Sequence, residues 1–142
     1  MDVEWTHKGE VIDDINKMPE GVFGFIYVVR TEKGHYIGKK QVVSVRKRKF
    51  GKREIARMEN KRLKKWEFVT KENKWRDYTG SNDELNKLIS EGLEYTKEIL
   101  YYGMSKASLT YLETRELWTA KVLEDRNCFN SNISGRHFNQ YK

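Results

Sequence analysis

A chain of 142 residues is long enough for one domain with a real core and too short for two comfortable ones. Its net charge of +7, 35% charged residues and 37% apolar residues predict a modest core under a heavily solvated surface, while 13% aromatics exclude a disordered chain. The longest apolar run, Val22 to Val29, is far short of the ~18 residues of a membrane span, Met1-Asp2-Val3-Glu4 lacks the basic start of a signal peptide, and the lone Cys128 excludes an internal disulfide. A soluble, intracellular protein is expected.

Val11, Ile12 and Ile15 predict a short packing helix over residues 10–17, which Pro19 ends. Val22 to Val29 is dense in β-branched and aromatic residues and reads as a buried strand. Thr31-Glu32-Lys33-Gly34 is turn material, and residues 35–43 read as the returning strand of an antiparallel hairpin. Within Lys52 to Trp66, good helix formers and a thin stripe (Ile55, Met58, Leu63, Trp66) predict a partly helical, poorly buried segment. Residues 75–80 form a loop, after which Ser81 or Asn82 caps a helix with Asp83 and Glu84 in its first turn and Gly92 at its end. A third strand is predicted over residues 94–102, and Ser105 or Ser108 caps a helix running to about Glu124. The Asn-rich tail from Cys128 reads as irregular. The order strand, strand, basic insertion, helix, strand, helix predicts an α+β sandwich, a single domain over 1–142 in which helices flank a three-stranded sheet.

The charge is concentrated. Lys39 to Lys65 holds thirteen basic and two acidic residues, an excess of +11, whereas the rest of the chain nets −4. A solvated helix face is the bland account of such a block. Its one-sidedness instead points to phosphate, where each neutralised charge releases counterions. The residues expected to meet nucleic acid are Lys39, Lys40, Arg46, Arg48, Lys52, Arg53, Arg57, Lys61, Arg62 and Lys65.

Two tyrosines, Tyr27 and Tyr36, lie on opposite arms of the hairpin, where an antiparallel pair can put them on one face. Glu113 has Leu109 four residues before it and Leu117 four after, so it shares the apolar stripe of its helix. A carboxylate placed there needs a partner, because burying an isolated charge is costly. Each residue also has a plain structural reading: strand tyrosines with wet tips, one more phosphate-contacting arginine in Arg46, a glutamate beside Arg115 or Lys106.

Gly24-Phe25-Ile26-Tyr27 followed by Tyr36-Ile37-Gly38 resembles the paired strand motifs of the GIY-YIG nuclease superfamily. The resemblance runs over about residues 22–132. It includes Arg46, Trp75 to Asn82, Glu98-Ile99-Leu100, Tyr111-Leu112-Glu113 and Phe129-Asn130. It implies metal-dependent hydrolysis of DNA by a small phage-type endonuclease of homing or host-DNA-degrading kind. Glu113 would hold a divalent cation, Mg²⁺ or alternatively Mn²⁺, with Tyr27 the general base and Tyr36 positioning water or phosphate. Arg46 would stabilise phosphate charge, Arg48 and Arg53 being alternatives, and Asn130 would fix local geometry, with Asn132 its alternative. Glu116 is a second, weaker metal-ligand candidate. Phe25 departs from the usual small or aliphatic residue, and a His or Tyr that follows the arginine in many members has no counterpart. Double-stranded DNA is the expected partner, cut one strand per active site unless a homodimer forms on it. Rival readings are a non-catalytic DNA- or RNA-binding accessory and a metal-finger nuclease built on His137 and Asn139.

Overall fold

A computed structural model describes residues 3–60 and 62–142. Strands β1 (Trp5–His7), β2 (Glu10–Ile12), β3 (Gly24–Thr31) and β4 (Gly34–Gln41) come first. A ribbon of β5 (Val43–Lys49) and β6 (Trp66–Glu72) then encloses the short helix α1 (Lys52–Ala56). Helix α2 (Asp83–Ser90), strand β7 (Tyr95–Gly103), helix α3 (Lys106–Thr119) and a small hairpin, β8 (Asn132–Ile133) with β9 (His137–Phe138), complete the chain.

The main sheet has the order β2-β1-β7-β3-β4, antiparallel except where β1 runs parallel to β7. The expected three-stranded arrangement is its antiparallel core, β7-β3-β4. The α+β class holds, but the count of three does not. Two further strands come from the segment expected to be a helix: Lys8 and Gly9 both take positive φ (51° and 85°), the geometry of a two-residue hairpin turn, so Trp5 pairs with Ile12. Only Ile15–Lys17 is helical there, as one 3-10 turn capped by Asp14.

The basic insertion also differs from expectation. Its helix stops at Ala56, and its longest regular part is a β-ribbon. Val43 and Val45 on one strand, and Trp66 and Phe68 on the other, recur every second residue, which is a strand period. Lys61 lies outside the described residues.

Strand β3 is covered on both faces, which explains its nearly continuous apolar sequence. Phe25, Tyr27 and Val29 pack with Trp5, Trp75, Leu85 and Ile99 on the α2 side. Ile26 and Val28 pack with Ile37, Leu109 and Leu117 on the α3 side. The predicted caps are in place: Asn82 Oδ1 accepts from Leu85 N at the start of α2, and Ser105 Oγ accepts from Ser108 N at the start of α3. Helix α3 ends at Thr119, short of Glu124, because Lys121 turns left-handed (φ 52°). Among the described residues no helix is long and apolar enough to cross a membrane.

Candidate active site

Strand β4 is an edge strand of the main sheet, and the candidate site is built around that edge. Register places Tyr27 opposite Gly38 and Val29 opposite Tyr36, so the two tyrosines are diagonal neighbours on the α2 side, their ring centroids 6.3 Å apart. Gly38 makes this possible. A Cβ on it would lie 2.6 Å from the Tyr27 hydroxyl, so any side chain there would displace the phenol. Gly80, at φ +102°, closes over the same pair, its missing Cβ 3.1 Å from the Tyr27 hydroxyl and from the Tyr36 ring. A β-bulge interrupts the pairing of β3 with β7 between Ile26 and Tyr27, beside the site.

The loop carrying Gly80 is pinned from below. Trp5 Nε1 donates to the Trp75 carbonyl (2.8 Å), and buried Lys97 donates to the carbonyls of Arg76 (2.6 Å) and Tyr78 (3.2 Å). Asn86 holds the Gly80 carbonyl at 2.9 Å. The loop thereby sets Tyr78 edge-on against Tyr27, with ring centroids 5.9 Å apart, and sets the Ser81 hydroxyl 3.2 Å from that of Tyr36.

Ile37 and Lys39 face the opposite side of the sheet, where α3 lies. Glu113 sits there at the margin of the apolar stripe, half-buried, with Lys39 Nζ at 3.8 Å. Lys39 also donates to Thr110 Oγ1 (3.3 Å). Asn130 approaches the free edge of β4 between the two sides. Its amide accepts from Ile37 N (2.9 Å) and donates to Ile37 O (2.8 Å), satisfying both backbone groups of that residue. A cleft of about 320 Å³ results, lined by Tyr36, Ser81, Asn82, Glu113, Asn130 and Asn132 among others. Tyr36 reaches it from one face of the sheet and Glu113 from the other.

Burial raises the phenols of Tyr27 and Tyr36 above the ordinary tyrosine range, neighbouring Tyr78 and the Glu113 carboxylate adding to the effect. Tyr27, 1% exposed, lies one step inward from the cleft. Burial also lifts the Glu113 carboxyl above its usual range, against the pull of Lys39.

Against known families, the chain matches the model described as "Putative endonuclease segE, GIY-YIG domain" over residues 5–139. The chain belongs to this GIY-YIG family. Comparison with curated proteins finds no match, and neither does comparison with solved structures.

The GIY-YIG domain thus gathers Tyr36, Glu113 and Asn130 in one cleft, with Tyr27 behind Tyr36. Arg46 is not among them. It projects from β5, exposed, opposite Val69 on the ribbon. Its alternatives fare no better: Arg48 is engaged by Glu54 (2.8 Å) and Glu67 (2.6 Å), and Arg53 is exposed on α1. Glu116 lines a separate cleft with Arg30, His35 and Asp125. His35 pairs across the hairpin with Arg30 and lies 3.9 Å from Asp125. His137 packs edge-on against Trp118, and Asn139 spends its amide on the carbonyls of Val122, Asp125 and Asn130. Lys40 lies over the Tyr78 ring at 4.6 Å, while Lys52, Arg57, Arg62 and Lys65 are exposed along the insertion. The sequence reading quoted Tyr78, Gly80 and Ser81 within the resemblance and offered Ser81 as a helix cap, but gave neither them nor Lys97 a place in the site. The glycine between an aromatic residue and a helix cap was the available signal for the first three.

Proposed function

We propose that this GIY-YIG domain is a metal-dependent DNA endonuclease that hydrolyses one phosphodiester bond per active site. The observation that carries the reading is the convergence of Tyr36, Glu113 and Asn130 on one polar cleft at the edge of β4, with Tyr27 directly behind.

The donor set fits a hard divalent cation such as Mg²⁺. Glu113 offers one carboxylate whose proton affinity is raised by burial, and the Ser81 hydroxyl lines the same cleft, the amide oxygens of Asn82 and Asn130 being held by Leu85 N and Ile37 N. A single protein carboxylate leaves room for water and phosphate oxygens, as suits a small ion that keeps much of its hydration. When bound, the ion supplies Lewis-acid stabilisation of phosphate charge. Lys39, beside Glu113, adds a positive charge at the cleft.

The reaction joins a water oxygen to phosphorus as the bond from phosphorus to the leaving sugar oxygen breaks. Tyr27 takes the water proton once it has lost its own, a loss that burial opposes and that a cation held at Glu113 would favour, and the leaving oxygen takes a proton from solvent. Tyr36, hydrogen-bonded to Ser81, orients the water or phosphate. Asn130 positions Tyr36 by fixing β4 at Ile37. Arg46, exposed on the ribbon away from the cleft, is given no part in this step.

The decisive experiment incubates supercoiled plasmid with Mg²⁺ and compares wild type with Glu113→Gln, Tyr27→Phe and Tyr36→Phe. Loss of nicking in Glu113→Gln, with duplex binding retained, supports the reading. Undiminished nicking by that variant overturns the assignment of Glu113. Wild-type protein that binds duplex tightly but never cuts would instead identify a non-catalytic DNA-binding accessory.

A further inference from the structure

The β5–β6 ribbon is a separate two-stranded sheet whose hydrogen bonds to the domain, among the described residues, lie at its root. There Val42 N donates to Phe23 O, Asn73 N to Val42 O, and Ser44 Oγ lies 2.7 Å from Asn73 Oδ1. Beyond the root the strands pair with each other, and their two faces differ. One carries Arg46, Arg48, Glu67 and Lys71, with Arg48 neutralised by Glu54 and Glu67. The other carries Phe68, Trp66, Lys47 and Lys49. Phe68 is 67% exposed, and its ring packs edge-on against Trp66 at 4.9 Å. Lys47 and Lys64 flank Trp66 with their ammonium groups 4.3 and 4.8 Å from its ring.

Phe68 and Trp66 together make an apolar patch rimmed by lysines, the pattern of a surface that meets a partner. The covering partner must be anionic at its rim and apolar or flat at its centre. Duplex DNA has that pattern, with phosphates along the groove edges and bases along its floor. Two strands ~4.8 Å apart, with their side chains, suit a major groove ~12 Å wide and overfill a minor groove ~6 Å wide. Seven residues per strand reach ~23 Å, about seven base pairs.

We infer that the ribbon lies in the major groove of duplex DNA with its Phe68–Trp66 face on the bases, Phe68 against thymine methyl groups and Lys47, Lys49 and Lys64 on the flanking phosphates. The inference rests on the endonuclease reading for its substrate and adds the element that reads sequence.

The test measures binding in metal-free buffer containing EDTA, where no cutting occurs. The probes are a fluorescein-labelled mixed-sequence duplex, the same duplex with uracil for thymine, and one of its single strands. Uracil removes the major-groove methyl and leaves the minor groove unchanged. Wild type should bind the uracil duplex about fourfold more weakly, one methyl's worth of burial. Phe68→Ala should bind the thymine duplex about tenfold more weakly, no longer distinguish the two duplexes, and keep its salt dependence, since a neutral ring releases no counterion. The variant should fold normally, given how exposed Phe68 is.

The inference is overturned if Phe68→Ala binds like wild type, or if it still prefers thymine. It is equally overturned if single-strand binding falls as much as duplex binding, which would make the ring a stacking platform for unpaired bases. Cleavage of the thymine duplex in Mg²⁺ is scored separately. Thymine-dependent binding without cutting sinks the endonuclease reading alone, and cutting without thymine dependence sinks the ribbon alone.

Discussion

Gly38 shows how a single missing side chain can define a site. Tyr27 needs the space above residue 38 because β3 and β4 place the two directly opposite each other. Gly38→Ala would bring a methyl within 2.6 Å of the hydroxyl and 2.9 Å of Cζ. Overpacking of this kind costs about 1–3 kcal/mol, measurable by urea unfolding. Nicking should fall further than stability alone explains, because the phenol must move. Tyr27→Phe separates the effects, removing the hydroxyl without crowding the core. Titration supplies a second prediction at this scale. A general base works only unprotonated, and burial raises the Tyr27 phenol, so the nicking rate should climb about tenfold per unit between about pH 7 and 9. A flat profile there would exclude a phenol as base. Glu113 has the opposite sign for folding. Its raised carboxyl binds a proton more tightly folded than unfolded, so stability is greatest below its unfolded pKa and declines as pH rises through the folded value. Glu113→Gln should therefore melt no lower than wild type near neutral pH while losing activity.

Among the secondary-structure elements, strand β4 depends on Asn130 as if on a neighbouring strand. The amide supplies one donor and one acceptor to Ile37, and it is buried. Asn130→Ala would leave both backbone groups unpaired, at about 1–3 kcal/mol. Thermal melting should show that loss, and nicking at saturating DNA should fall as Tyr36 loses its fixed edge. The β3–β4 hairpin was readable from the sequence because alternation, turn chemistry and length all agree there. Glu113 was readable because helical spacing set a charge among leucines. The β1–β2 hairpin was missed because its two-residue turn, Lys8-Gly9, carries a lysine where asparagine or aspartate usually signals such a turn. The ribbon was missed because its charges look like a solvated helix, while only four apolar residues carry the two-residue period. Lys97 gave no warning, since a lysine within a strand normally points to water; here it holds the loop of Tyr78 and Gly80. Arg46 was placed in the site by resemblance, and strand pairing puts it on the ribbon.

For the molecule as a whole, the electrostatic asymmetry and the one cleft that holds Glu113 set how it should cut. An excess of +11 over residues 39–65 overstates what can meet phosphate, because Arg48 is matched by two carboxylates and Lys39 faces Glu113. Replacing Lys47 and Lys49 together with glutamine should reduce the slope of log affinity against log salt by about two, leaving the melting temperature nearly unchanged. Each chain has one Glu113 and one cleft at the edge of β4, so under the proposed reading one binding event breaks one strand. A plasmid time course at low protein should first accumulate nicked circles, with linear molecules arising later from independent nicks. The order should hold when protein is raised toward the plasmid concentration. Linear product formed without a nicked precursor, at a rate rising with the square of protein concentration, would show instead that two copies assemble on the duplex and cut both strands together.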